Sequence, residues 1–533
     1  MSPDRRKETF IYFTFYSCSY ILLLFNPGLF WDDWSLYKVK TIYLFNSYKG
    51  NGLLLFYFIH KMFNIFYNPI FFYRAATFFF YLFSAFFLNA ILKNISEIDD
   101  ESRFFITIYF SILPVNFARI SFACVPYALC YFLFFFSMWL ISQYMYSKKI
   151  YFRFFPLILF FLSFFTNSLI SFYILVIFFI FYLEKNINPF FKSNLITFIK
   201  YFDFFLLPFV FFLLKNEFFK PHGLYAGYNY FKIKDIIINP LPLKSILDSV
   251  YYSIFTVLKL DAISILYLFF MILIIYILNL ILKKENKKEP IKINDFYIFL
   301  FGIMILLFSI YPYLVVNLIP QLGDWGSRHQ LLTPLGISMI LCYGIKIVSG
   351  IFSLKELTRK IILFSVIILF ILLNNKNYLG YWIDWFKQES LIENIKTSEI
   401  IKENTTFIFS DFLDLNAFGR RYRFYEYTGF MKYAFGDERR FGEDNNAFKN
   451  MDIYRPLEKA TSIGRYNITD YKFVNPQYNV FIKPGDFILK EKGKITIKTI
   501  FRSAKLFIIK IFNPKIYKEN VKKIISLEYQ KIR

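Results

Sequence analysis

Two stretches without a single charged residue, the 29 residues Phe154–Tyr182 and the 20 residues Ile263–Leu282, limit what this chain can become. About 20 apolar residues carry a helix through a hydrocarbon layer roughly 30 Å thick. Inside that layer no water satisfies a backbone N–H or C=O, so a spanning segment must close its own hydrogen bonds as a helix. Soluble domains lack apolar runs of this length, and 57% of the 533 residues here are hydrophobic. The expected fold is an α-helical polytopic membrane protein with about 11–13 transmembrane helices over residues 1–374. Residues 375–533 are less apolar and alternate strand-like runs such as Thr406–Ser410 with polar stretches. They read as an extracytoplasmic α/β domain with a basic tail.

The order of spans follows from charge. Arg5, Arg6 and Lys7 precede the apolar run Phe10–Phe25 and put the N-terminus in the cytoplasm. No small-residue cleavage site precedes Asn26-Pro27, so this run reads as an uncleaved first span. A second span is expected at Leu53–Tyr67 and a third at Phe71–Leu92. That order places the connector Lys93–Arg103, with Asp99, Asp100 and Glu101, outside as solvated charge. Further spans are expected near Phe104–Phe117, Phe122–Tyr144, Phe154–Tyr182 and Ile196–Leu214, the third broken near Thr166-Asn167-Ser168. Lys283–Lys288 marks an inner loop after Ile263–Leu282. Phe296–Val316 then leads outward, and Leu331–Val348 and Ile361–Leu373 flank an inner loop with Lys355, Arg359 and Lys360. The run Ile495–Ile511 is apolar enough to return to the membrane surface.

Composition excludes some functions. With 62 basic and 38 acidic residues the net charge is +24. The cations lie in loops and in the tail, so membrane phosphates are the expected counter-charge and nucleic acid is not. The 76 Phe and 42 Tyr accompany heavy use of Ile, Asn and Lys and read as lipid-facing or core filler. Cys18, Cys124, Cys130 and Cys342 fall within apolar spans, with spacing that fits neither a zinc site nor a disulfide framework.

The chemistry-bearing stretch is Asn26-Pro-Gly-Leu-Phe-Trp-Asp-Asp-Trp-Ser-Leu-Tyr37, directly after the first span. Trp is at home at a membrane boundary. Two ionisable acids there, Asp32 and Asp33, are costlier and more suggestive of function. Span counting brings Asp324, Arg328 and His329, in Gln321–Gln330, to the same face. A carboxylate can act as general base on a hydroxyl, and a fixed arginine can hold a phosphate and stabilise it as a leaving group. The glycine- and tyrosine-bearing loop around His222 and Tyr225 reads as either a cover over a site or a long connector. Asp411–Asp414 and Arg420–Gly429 interleave acids, arginines and aromatics, a pattern that serves sugar or phosphate binding or packing on the membrane part.

The acid pair after the first span resembles the GT-C superfamily of polytopic glycosyltransferases, which includes protein mannosyltransferases and aminoarabinose transferases. Ser327-Arg328-His329-Gln-Leu-Leu-Thr-Pro334 is similar to an arginine-bearing segment that opens a late span in such proteins. Arg74, at the start of the third span, resembles a recurring arginine there. The likeness covers roughly Phe10–Phe122 and Asp324–Gly336. It implies a polyprenyl-linked sugar donor and a lipid, glycan or protein acceptor on the outer face of a bacterial inner (plasma) membrane. Asp32 or Asp33 would be the base, with Arg328, His329 and Arg74 near the donor phosphate. No cofactor follows from the residues, and a divalent metal stays open. The competing classes are a flippase or transporter and a polymerase or ligase of lipid-linked saccharides. A transporter should carry ionisable groups in mid-membrane; the spans here are nearly free of them, with Arg119, Asp203 and Asp261 as exceptions expected near a membrane boundary.

Overall fold

A computed structural model describes residues 3–187, 193–222, 292–446 and 471–532 apart from 317, 319, 473 and 491–494, together with residues 226, 273, 462–463 and 466–467. The expected span Ile263–Leu282 except Leu273, the inner marker Lys283–Lys288 and Tyr225 lie outside the described residues. Five described segments are long and apolar enough to cross a membrane: Pro69–Leu92, Phe122–Ser147, Ser168–Lys185, Ile293–Leu314 and Thr333–Ile351. The expected first span falls on the 22-residue helix Pro3–Leu24 and the expected Ile361–Leu373 within the 41-residue helix Glu356–Lys396, while Leu53–Tyr67 and Phe104–Phe117 fall on shorter helices.

The N-terminal helix α1 (Pro3–Leu24) is followed by a loop and three short helices, α2 (Asp33–Leu36), α3 (Thr41–Gly50) and α4 (Leu54–Phe63). The expected second span is thus a helix of 10 residues. At 1.5 Å per residue it reaches roughly 15 Å, half of what a bilayer demands. Helix α5 (Pro69–Leu92), opened by Asn68-Pro69, therefore runs back to the end where α1 began.

This corrects the side assigned to Lys93–Arg103. Glu8, beside the N-terminus, pairs with Arg103 at 3.3 Å. Asp99 caps α6 (Asp100–Ile112) through Ser102 and pairs with Lys346 at 2.5 Å. Glu101 meets Arg359 at 2.8 Å, so the connector shares an end with the basic loop from which it was expected to be separated by a membrane. Asp99 and Glu101 are ion-paired because the helix ends that converge there bring their own cations, whereas Asp100 is solvent-exposed as expected and, among the described residues, meets only Arg103 three residues on.

Helices α7 (Val125–Ser147), α8 (Tyr151–Ser163), α9 (Ser168–Phe172), α10 (Ile174–Ile187), α11 (Ser193–Lys200) and α12 (Phe202–Phe218) extend the bundle. The break between α8 and α9 falls at Phe164–Asn167, as the polar triplet suggested. Helix α13 (Ile293–Leu314) packs on α14 (Thr333–Ile351) backbone to backbone. A Cβ on Gly336 would come within 2.6 Å of the Leu306 nitrogen, and one on Gly302 within 2.9 Å of the Met339 Cβ. Small residues are what allow membrane-type helices this close an approach.

Helix α15 (Glu356–Lys396) has 41 residues and spans roughly 60 Å, twice a bilayer core. Its first half lies in the bundle. Its second half carries a sheet of order β2-β1-β5-β6 built from β1 (Thr406–Asp411), β2 (Phe441–Asp444), β5 (Tyr478–Pro484) and β6 (Ile525–Lys531). The hairpin strands β3 (Ser462–Ile463) and β4 (Tyr466–Asn467) lie apart from it. Strand β1 is parallel to β2 and β5, and β6 is antiparallel to β5. Buried Phe407, Phe409, Val480 and Ile482 form its core. Helices α16 (Glu399–Glu403), α17 (Phe424–Phe435), α18 (Ile497–Phe512) and α19 (Pro514–Lys522) complete this part.

Candidate functional site

Past α1 the chain must turn, and Asn26 makes the turn by accepting the Gly28 N–H at 2.8 Å. Arg74, in the second turn of α5, reaches up and donates to the carbonyls of Gly28 (2.7 Å) and Asn26 (3.3 Å). Its guanidinium lies 5.2 Å over the Phe122 ring and is 1% exposed. Arg74 thus braces the loop through its own backbone, and its burial leaves no surface for an incoming phosphate.

The two adjacent aspartates occupy opposite environments. Asp33 is completely buried, and its carboxylate accepts from Ser121 Oγ (2.5 Å), Phe122 N (2.6 Å) and Phe30 N (3.0 Å). Burial pushes its pKa up to about 6, against the opposing pull of Arg74 and these three donors. Asp33 ties the first loop to the two short 3-10 turns, Phe117–Ile120 and Phe122–Cys124, that join α6 to α7. Asp32 is half-buried and acts electrostatically on Cys124 and Tyr425. Of the pair, it is the one a solute can approach.

The Arg328 segment joins this group. Trp31 Nε1 donates to Asp324 Oδ1 at 2.8 Å, and the Trp31 and Trp325 rings lie 5.4 Å apart. Ser327 Oγ accepts the Ala118 N–H at 2.8 Å, so the two adjacent 3-10 turns contact both loops, the first through Ala118 and the second through Ser121 and Phe122. Half-buried Arg328 stacks 4.3 Å over Trp325 and donates Nη1 to the Trp325 carbonyl at 3.0 Å. Its charge, like those of Asp32, Asp33 and Arg74, is felt at Cys124. His329 turns inward, 7% exposed, with its ring 5.2 Å from Tyr313. His222 is exposed, and its bonds go to Gly50 O through its N–H (2.9 Å) and, from the ring Nδ1, to the Lys220 carbonyl (3.3 Å). No hydrogen bond among the described residues joins it to Asp32 or Arg328.

Arg420, in the arginine–aromatic segment, is buried and stacks 5.4 Å over Phe30 and 5.3 Å over Trp31. It is held by Asp384 (2.8 Å) and Glu426 (2.5 Å), both fully buried. The segment therefore packs the C-terminal part onto the first loop. Asp384 also accepts from Tyr422, Ala417 and Gln388; against the upward push of burial, Arg420 and then the Ala417 and Tyr422 donors hold its pKa below the usual carboxylate value. Glu426 shares the one arginine with fewer donors, and burial raises it to about 7. Asp411 pairs with buried Lys387. A shallow cleft opens between α2, α3 and α17, lined by Trp34, Ser35, Tyr43, Tyr425, Thr428 and Lys432 among others.

Arg119 is a further charged group at this end of the bundle. It is 4% exposed, donates to the Asn116 carbonyl at 2.8 Å, and lies 4.3 Å over Tyr81 and 4.9 Å over Tyr20. Its sequence signal was a lone charge inside an apolar stretch. Among the described residues, no three His, Cys, Asp or Glu side chains gather closely enough to hold a metal ion. No family profile matches this chain, and no curated protein matches it.

Proposed function

We propose that this chain is a membrane-embedded glycosyltransferase that passes a sugar from a polyprenyl-phosphate-linked donor to an acceptor hydroxyl on the outer face of the membrane. The observation that carries the reading is that the Trp31–Asp324 bond and the Ala118–Ser327 bond bring the loop with half-buried Asp32 and the segment with half-buried Arg328 together at one end of an apolar bundle. In this reading Asp32 takes the proton of the acceptor hydroxyl as its oxygen attacks the sugar's anomeric carbon. The bond from that carbon to the phosphate oxygen breaks, and Arg328 stabilises the charge that develops on the departing phosphate. Asp33 positions Asp32 by anchoring the loop to Ser121 and Phe122, and the cleft takes the acceptor. The N-terminus with Arg5, Arg6 and Lys7 faces the cytoplasm, and the sheet on α15 lies outside it.

The test is transfer of radiolabelled sugar from polyprenyl-linked donors in membranes that hold equal amounts of each variant. Asp32→Asn is expected to lose about 10²–10⁴-fold in rate, the usual contribution of a general base. Arg328→Ala should fall by about 10²-fold or more, as when one charge-stabilising donor is removed. Wild-type rates in both variants would overturn the assignment.

A further inference from the structure

Helix α18 presents three faces, and one of them has no partner among the described residues. Successive residues advance by about 100° around a helix. Thr499, Ser503, Leu506 and Lys510 then fall together and face the interior. The first three are buried, while Lys510 lies 3.9 Å over the Trp385 ring and 3.3 Å from Glu389. Ile497, Ile500, Phe501, Ile508, Ile511 and Phe512 fall on a separate arc about 120° wide. Their exposures are 59, 43, 71, 54, 59 and 81%. Lys498 and Lys505, both exposed, run along one edge of that arc.

The position of the helix selects among possible occupants. Phe507, at the other edge of the apolar arc, packs 5.2 Å from Trp382. Trp382 in turn donates its indole N–H to the Leu22 carbonyl at 2.7 Å, two residues before α1 ends. The apolar arc therefore sits level with the point where an apolar helix leaves the bundle. At 16 residues α18 reaches only about 24 Å, too short to cross a hydrocarbon core. A wide apolar face edged by lysines, at that level, is complementary to acyl chains beneath phosphate headgroups.

We infer that α18 lies flat in the lipid interface, with its apolar arc among the acyl chains and Lys498 and Lys505 among the phosphates. It moors the C-terminal sheet to the bilayer independently of α15. This holds whether or not the chain is a glycosyltransferase.

The test uses full-length protein in lipid nanodiscs, with Cys18 replaced by serine. An environment-sensitive dye is attached at Phe501→Cys or, for comparison, at Ser526→Cys on exposed strand β6. Both side chains are exposed, so neither label disturbs the core. Nitroxide-labelled lipid should quench the dye at 501 about threefold more than at 526, as for a helix buried in the headgroup–acyl boundary. In discs rich in phosphatidylglycerol, Lys498→Glu with Lys505→Glu should reduce that difference. Equal quenching at 501 and 526 would overturn the proposal. So would shielding of 501 that follows the number of protein copies per disc and ignores the lipid label, because the occupant would then be a second chain.

Discussion

Trp31 and Asp324, 293 positions apart, meet through a 2.8 Å hydrogen bond, and both residues sit at positive φ, 52° and 57°. Bulky residues avoid this half of conformational space. With ψ at −164°, Asp324 occupies a region that glycine alone enters freely, at a cost of about 1–3 kcal/mol for other residues. The bond and the packing of Trp31 on Trp325 hold two strained turns together beside Asp32 and Arg328.

The strain makes two substitutions at Asp324 separable. Asp324→Gly loses the bond to Trp31, worth about 1 kcal/mol, but relieves strain of similar size, so its Tm should stay near that of the wild type. Asp324→Ala loses the same bond without relief and should unfold at lower temperature. Thermal unfolding of both variants in one detergent decides this.

Asp33→Asn should lower stability, not merely activity. An amide keeps one acceptor oxygen but turns an NH₂ toward donors that now lack an acceptor, and such a change in a buried network costs about 2–4 kcal/mol. Yield and Tm should drop for Asp33→Asn and hold for Asp32→Asn. The reverse order would mean that Asp32 is the structural member.

Arg119 should depend on the Tyr81 ring more than on its hydroxyl. Tyr81→Phe removes only the acceptor for Asn116 Nδ2 (3.2 Å) and is expected to cost about 1 kcal/mol. Tyr81→Leu also removes the ring face under the guanidinium, a desolvated contact worth about 2 kcal/mol or more. Adding Arg119→Met should shrink the Phe–Leu difference, which a double-mutant cycle would measure.

Glu426 should give the C-terminal part a pH dependence. Its folded pKa of about 7 lies above the ordinary 4.5, so the folded state holds the proton more tightly than the unfolded chain. The stabilisation is full below about pH 4.5 and is lost as pH rises through about 7. Asp33, raised to about 6, pulls in the same direction over a lower window, so the comparison must be between variants. Melting temperatures at pH 5 and pH 8 should differ less in Glu426→Gln than in the wild type.

The two ends of the bundle can be distinguished by labelling. Single cysteines at exposed Lys7 and Lys93 should react with a membrane-impermeant maleimide from the same side, and one at Arg439 from the opposite side. The native thiols at 124, 130 and 342 are buried, and Cys18→Ser removes the exposed one. Opposite labelling of Lys7 and Lys93 would break the ion-paired end formed by Glu8 and Arg103.

Much of the helical layout is legible in the chain because apolar length and breaker residues act locally. Asn68-Pro69 opens a helix, and Thr166–Ser168 interrupts one. Leu53–Tyr67 misleads for a physical reason. Its average hydropathy resembles a span, but the helix stops at Phe63, and only helix length determines whether a bilayer is crossed. Asp99 and Glu101 looked solvated because their cations, Lys346 and Arg359, stand far along the chain.

By itself the sequence determined a helical, apolar chain with an acid pair after one run and Arg328 before another, since transfer free energy and helical period sum over neighbouring residues. It could not tell Asp32 from Asp33, which are chemically identical and adjacent. Tertiary structure made that distinction. Ser121 and Phe122 close over one carboxylate while the other stays half-buried. Burial depends on what packs against a group, and the groups that close over Asp33 stand 88 and 89 residues away.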